Sequence, residues 1–324
     1  MGSGGRMKDK FDSIIMIGFG GPTRGCCRRY EECPGEAYCY VEGIVGQRAG
    51  GPERIREVAA HYEHFGGVSP FTFFSQKQAG ALEMALEQAG AGVPVYTGYR
   101  FWTPYVKETL AEMGGRGLRR ALGVILAPHR TKISWEAYRG AVASAREELG
   151  EDAPEAEFLE TPWHTHPGFI DATVERMRQA LPEEEGLDDV GVIFTAHSIP
   201  VSMARASSYE EEFRETAALA AQKLGLRDYE VGFQSSPDVP PGTWLGPDVV
   251  DVIGSAAGAK AVLVVPVGFI CDHMEVLFDL DIEAREAAEE AGLRFYRAPT
   301  VGTHPAFIGM LSDLVRAKMA ESGS

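Results

Sequence analysis

Ala261-Val262-Leu263-Val264-Val265-Pro266-Val267-Gly268-Phe269-Ile270-Cys271-Asp272-His273-Met274-Glu275-Val276-Leu277-Phe278-Asp279 is the stretch from which the architecture can be read. It begins as an unbroken apolar run, the pattern of a strand buried on both faces of a parallel sheet. The loop that follows gathers Asp272, His273 and Glu275. From about residue 273 the spacing predicts a helix, on which Glu275, Asp279 and Glu283 recur at steps of four and share a face. Like charges at that spacing weaken a helix by roughly 0.2–0.5 kcal/mol per pair. A row of carboxylates bearing that cost can hand a hard or borderline cation inward. The alternative is a solvated acidic face at a helix start, where the dipole favours carboxylates.

Outward from this stretch the same strand–loop–helix unit repeats. Apolar runs predict strands at 13–19, 93–98, 121–127, 158–160, 190–195, 230–234, 261–267 and 293–298. Amphipathic segments predict helices at 53–64, 75–89, 104–113, 134–148, 167–181, 208–224, 248–257, 274–290 and 304–320. Alternation of this kind gives an α/β fold whose parallel sheets are covered on both faces. Two successive runs of strands predict two similar domains rather than one large sheet, with the seam in the polar stretch 150–160 around Pro154. The expected units are 7–155, 156–300 and a closing helical segment, 301–324. Chemistry in such folds sits at the carboxyl ends of strands and between domains. Gly20-Gly21-Pro22-Thr23, Tyr99-Arg100, Pro128-His129-Arg130, His197-Ser198, Gln234-Ser235-Ser236 and Asp272-His273-Glu275 all fall at such ends. That convergence tips the reading of Glu275 toward function. His197 at a strand end can be a metal ligand, a general base or a loop hydrogen-bonder, and paired with Glu275 it can take up protons and handle a metal.

The chain has 324 residues, 44% hydrophobic and 24% charged, enough for two domains with their own cores. Its net charge of -16 excludes nucleic acid as a partner and a polybasic membrane anchor, leaving at most peripheral membrane contact. No apolar run approaches the roughly 20 residues of a membrane span. Met1-Gly2-Ser3-Gly4-Gly5-Arg6 reads as an added leader ahead of Met7, and the absence of a secretory signal places the chain in the cytoplasm. Cys26, Cys27, Cys33 and Cys39 cluster, while Cys271 stands alone. In a cytosolic chain such clustering favours a metal over disulfides.

Several blocks resemble the ferrochelatase family. They are His61-Tyr62-x-x-Phe65-Gly66-Gly67-x-Ser69-Pro70, Phe194-Thr195-Ala196-His197-Ser198-Ile199-Pro200, Tyr229-Glu230-Val231-Gly232-Phe233-Gln234-Ser235 with Trp244-Leu245-Gly246-Pro247-Asp248, and Pro266 through Leu277. Their order and span, from Ile14 to about Leu311, make the match specific. The resemblance implies two Rossmann-like, chelatase-type domains around a cleft that binds a tetrapyrrole. It implies insertion of Fe2+ into a porphyrin with loss of two pyrrole protons. His197 and Glu275 take the catalytic and metal-binding roles, with Asp279 and Glu283 as a route for metal or protons. It also marks Arg100 as a position near the pocket. Thr23 stands where some relatives carry a Tyr beside the metal, so a phenol ligand is absent and only a hydroxyl contact to porphyrin is expected there. Ser198, Phe71 and Phe269 are further expected porphyrin contacts, with Phe73, Phe74 and Trp102 as candidate aromatic walls.

The segment Ser236-Pro237-Asp238-Val239-Pro240-Pro241-Gly242-Thr243 lacks the Arg and Gly that many relatives carry after the Gln-Ser pair. Pro128-His129-Arg130, the Ser134-Trp135-x-x-Tyr138 segment and residues 41–67 are similar to the branch that uses coproporphyrin III, with protoporphyrin IX as the other substrate. Some ferrochelatases carry a [2Fe-2S] cluster, and Cys26, Cys27, Cys33 and Cys39 supply its four thiolates. Zinc needs the same ligands, and four unligated thiols are the remaining alternative. Enzymes that deliver the porphyrin or accept the haem are the expected neighbours. Two rivals stand beside this reading: a chelatase for another metal or tetrapyrrole, and a non-catalytic porphyrin carrier that has no need of Glu275.

Overall fold

The apolar runs condense into two four-stranded sheets with the same strand order. The computed structural model describes residues 10–25, 31–46, 51–183, 186–237, 240, 242–256 and 258–322. In the first sheet β1 (Ser13–Gly18) lies between β2 (Val95–Tyr99) and β3 (Arg120–Ile125), and β4 (Glu155–Phe158) forms the edge, giving β2-β1-β3-β4. In the second, β5 (Val190–His197) lies between β6 (Glu230–Gln234) and β7 (Ala261–Val265), and β8 (Arg294–Arg297) forms the edge, giving β6-β5-β7-β8. Every pairing within the sheets is parallel: Met16 sits opposite Thr97 and Val124, and Ile193 opposite Glu230 and Val264. β1 and β7 are buried at every residue, which is why they read as continuous apolar runs. The strand order reverses at β1 and again at β5, so each sheet opens a crevice at its carboxyl edge.

β4 pairs with β3, Gly123 opposite Phe158, so the first sheet runs through Phe158 and past the division expected at residue 155. Its sequence, Glu-Ala-Glu-Phe, is that of a half-exposed edge strand and carries no apolar run. The closing helix forms at Pro305–Ser322, but it is no separate unit. With the helix Pro167–Ala180 it packs on the first sheet, where Phe169, Ala172, Phe307 and Leu311 share one apolar cluster with Ile14, Met16, Leu82 and Val124. The two halves therefore share a core.

Two helical segments depart from α geometry. Lys132–Glu136 is a π-turn ahead of the helix Ala137–Leu149, and Val276–Ala284 is a π-helix ahead of Arg285–Glu290. The helix Glu36–Val45 has no counterpart in the sequence reading, where Gly35, Gly43 and the cysteines mask its periodicity; it buries Ala37, Cys39, Tyr40 and Val41. Among the described residues no helix is long and apolar enough to cross a membrane.

Candidate active site

The carboxyl ends of β1, β3, β5 and β7 face one cavity of ≈ 480 Å³ between the two halves. His197 is the last residue of β5. The chain beyond it is pinned: Ser198 N–H donates to the Gln234 carbonyl (2.8 Å), Ser198 Oγ donates to the Leu245 carbonyl (2.7 Å), and Tyr209 donates its hydroxyl to the His197 carbonyl (2.9 Å). The His197 ring turns Nδ1 against the Ser198 carbonyl, an acceptor, so the proton of the neutral ring belongs on Nδ1. Nε2 is then a bare lone pair. It faces Glu275 Oε2 at 3.7 Å, and both side chains are about a third exposed, 31% and 33%. Two acceptors held face to face leave a place for a proton or a cation.

Glu275 reaches His197 because the segment after β7 crosses the end of β5. Gly268 N–H donates to the Thr195 carbonyl at 3.0 Å, and a Cβ on Gly268 would stand 2.7 Å from Ala196 Cα, so only glycine permits the crossing. Glu275 then stands at the N-terminal end of the π-helix, whose residue Asp279 is buried. Burial, and next the charge of Glu275, hold the Asp279 carboxyl protonated well above the ordinary carboxylate range. Ser235, the one described non-glycine residue with positive φ (61°), donates its hydroxyl to Asp279 Oδ2. Burial and the carboxylates of Asp248 and Glu286 also raise Glu283. Among the described residues no three or more His, Cys, Asp or Glu side chains close into a metal cage, so His197, Glu275, Asp279 and Glu283 form a row and not a single ligand set. Asp281 points elsewhere, joining Asp272 on the Arg297 guanidinium at 2.7 and 3.2 Å.

The walls are aromatic. Phe19, Tyr62, Phe71, Phe101, Tyr138 and Phe269 line the cavity. The Phe269 ring meets the half-buried His273 edge-on at 4.3 Å, and desolvation lowers the His273 pKa, keeping it neutral. Arg100 is exposed at the lining, its guanidinium 4.7 Å from the Phe101 ring. Thr23 and Ser198 do not line the cavity: Thr23 Oγ1 accepts from Trp102 Nε1 at 2.9 Å, and Ser198 is buried in the loop bonds above. Trp102 is buried, and Phe73 and Phe74 border a different cavity.

Sequence reasoning did not single out Tyr209, Tyr40 or Met274, and named His129 only as part of a strand-end block. His129 is buried, and burial takes its pKa down to about 3, so it is a neutral ring. Its Nε2 meets Thr216 Oγ1 at 3.0 Å, and its Nδ1 has no partner. Nothing in its sequence neighbourhood signals this, because its partners come from distant elements.

Of the four clustered cysteines, Cys26 and Cys27 lie outside the described residues. Cys33 Sγ lies 3.9 Å from Cys39 Sγ. That separation is as long as an ordinary thiol–thiol contact, and among the described residues no third His, Cys, Asp or Glu completes a metal site with this pair.

Residues 46–319 match the family model described as Ferrochelatase. The chain is 36% identical to the ferrochelatase of Rhodopirellula baltica over 96% of its own length and 87% of the relative's. It is also 36% identical to the coproporphyrin III ferrochelatase of Mycolicibacterium smegmatis, over 94% of this chain and 89% of that one. Among solved structures, the cobalt complex of the sirohydrochlorin chelatase of Bacillus subtilis subspecies spizizenii superposes with a TM-score of 0.56 at 12% identity, over 96% of each chain. At that identity the likeness speaks for the fold alone.

Proposed function

Since the chain belongs to the ferrochelatase family and inserts ferrous iron into a porphyrin in haem biosynthesis, we propose that its substrate is coproporphyrin III and that His197 and Glu275 take the two pyrrole protons. The observation that carries the second part is the pair of facing acceptors, Nε2 and Oε2, 3.7 Å apart in an aromatic cleft. The name of the Mycolicibacterium smegmatis relative supports the first; Arg100 has a forked guanidinium that suits a propionate of either porphyrin.

The balance is simple: a free-base porphyrin and Fe2+ give the iron porphyrin and two protons, with no change of oxidation state. A planar free base holds its four nitrogens in the ring plane, away from an approaching ion. Phe71, Phe269 and the facing apolar wall grip the ring, and binding energy goes into bending it so that lone pairs turn outward. His197 presents Nε2 to one pyrrole N–H, and Glu275 takes the other proton. Asp279, already protonated, gives its proton to Glu283 as it takes one from Glu275, so the row relays protons along the π-helix; with its proton passed on to Glu283, the Asp279 carboxylate can instead pass the metal inward.

The same reading gives Cys33 and Cys39, with Cys26 and Cys27, a [2Fe-2S] cluster that staples this segment; zinc is the rival occupant. Protein purified without air should show charge-transfer bands and acid-labile sulfide. Zinc without sulfide would replace the cluster, and neither metal would remove the site. A cytoplasmic location agrees with thiols kept reduced; enzymes of the haem pathway are the neighbours, and membrane contact is at most peripheral.

The substrate is tested by anaerobic metallation of coproporphyrin III and of protoporphyrin IX, followed by the collapse of the free-base visible bands. Turnover of coproporphyrin III with little of protoporphyrin IX is expected. The reverse preference would overturn the choice of substrate and leave the enzyme class standing.

A further inference from the structure

Behind the wall of the porphyrin cleft lies a second cavity of ≈ 310 Å³, at the lower end of the about 300–1,000 Å³ typical of small-molecule sites. Cys271 belongs to the walls of both, so the two cavities are back to back. One side of the second cavity comes from the helix Phe71–Gln88 of the first half, the other from Arg176 and the Pro299–Thr303 turn of the second.

Its lining combines exposed aromatic rings with two cations. Phe73 and Phe74 are two of the few large apolar side chains left exposed, 56% and 37%, and they pack edge to face at 5.4 Å. Exposed aromatics gathered at a cavity mark a surface that takes an apolar partner. Beside them stand two cations. Lys77 Nζ lies 5.3 Å from the Phe73 ring centre and makes no ion pair among the described residues. Arg176 donates Nη1 to Gln179 at 2.9 Å and Nη2 to the Val301 carbonyl at 3.4 Å, while its Nε is buried with no acceptor. The one carboxylate in the lining, Asp272, is already held by Arg297 and the Thr300 N–H. In a chain of net charge -16, a pocket with two cations and a neutralised acid is an anion-selective exception.

We propose that this cavity binds a small carboxylate with a flat aromatic body, the ring between Phe73, Phe74 and Pro299 and the carboxylate on Lys77 and Arg176. Planar carboxylates match the guanidinium fork, and aromatic faces match the two exposed phenylalanines. An occupant would lie against the reverse side of Cys271-Asp272, immediately before His273 and Glu275. The site stands apart from the reading of the porphyrin cleft and does not depend on it.

Calorimetric titration with 2-naphthoate tests this, in the whole protein with coproporphyrin III in excess to fill the cleft. One naphthoate per chain is expected, with at least tenfold weaker binding of neutral 2-naphthalenemethanol and of acetate. Lys77→Glu should weaken naphthoate at least tenfold, and Phe73→Asp should do the same through the ring; both positions are on the surface and leave the fold intact, judged by an unchanged melting temperature. Metallation of coproporphyrin III by both variants should stay within twofold of the parent. Loss of naphthoate binding when porphyrin is present would mean that the probe occupies the cleft, and would overturn the proposal. So would binding that neither variant alters, or no heat at millimolar naphthoate.

Discussion

His197 offers a free lone pair because the Ser198 carbonyl fixes the proton on the other nitrogen, and the Ser198 hydroxyl and amide are tied to Leu245 and Gln234. Ser198→Ala therefore frees a buried carbonyl and loosens the loop without touching the porphyrin: turnover should fall several-fold, stability should drop by about 1–3 kcal/mol, and porphyrin affinity should hold. Chemical denaturation and an absorption titration measure the two; a loss of affinity with unchanged stability would make Ser198 a ligand contact. Asp279 leads to a pH prediction. Its pKa is raised from 3.8 by folding, so the stability tied to its protonated form is complete below the unfolded value and is lost as pH rises through the folded one. Asp279→Asn removes that loss. The melting temperature of the variant minus that of the parent should grow more positive from about pH 5 to about pH 9, while metallation slows. A difference that does not vary with pH would mean Asp279 carries no raised pKa. Glu275, Asp279 and Glu283 were legible as a spaced row in the sequence, but the burial of Asp279 and the hydroxyl of the left-handed Ser235, just past β6, leave no local trace.

At the scale of elements, the π-helix Val276–Ala284 was readable as a helix but not as a wide one, because the hydrogen-bond pattern that distinguishes it is not encoded in residue spacing. The strands were legible where both faces are buried, as in β1 and β7, and misplaced where an edge strand carries mixed residues, as in β4. The π-helix also makes a contact that no pattern announces: the Phe278 ring stacks on His61 of the helix Gly51–Glu63 at 4.0 Å and 7° between planes. Burial lowers the His61 pKa, so the stacked ring is neutral. The contact ties the helix Gly51–Glu63, whose Tyr62 lines the cleft, to the π-helix. Phe278→Ala removes an interaction of about 0.5–1.5 kcal/mol, so KM for porphyrin should rise by roughly two- to tenfold with kcat changed less. Steady-state metallation checks this; a fall in kcat at constant KM would place Phe278 in the chemistry instead.

The whole molecule is two copies of one strand order whose halves meet across a shared core, and the cleft exists only while they stay joined. Phe307 is fully buried at that junction, edge-on to Trp163 at 5.7 Å and tilted against Phe169 at 6.0 Å. Phe307→Ala should cost about 3–5 kcal/mol and unfold both halves in one transition, whereas separate transitions by urea titration would show independent halves. The duplication was visible in the sequence as two runs of alternating strands and helices; the return of the last helix to the first sheet was not, since amphipathic spacing says which face is buried but not against what. The central claim is that Glu275 accepts a proton in metal insertion and is not needed to hold the porphyrin. The most direct test mixes Fe2+ anaerobically with coproporphyrin III bound to parent or to Glu275→Gln and follows the visible bands. Porphyrin affinity should stay within about threefold of the parent while metallation slows by about 10²–10⁴-fold. Metallation at the parental rate with the porphyrin still bound would contradict the account.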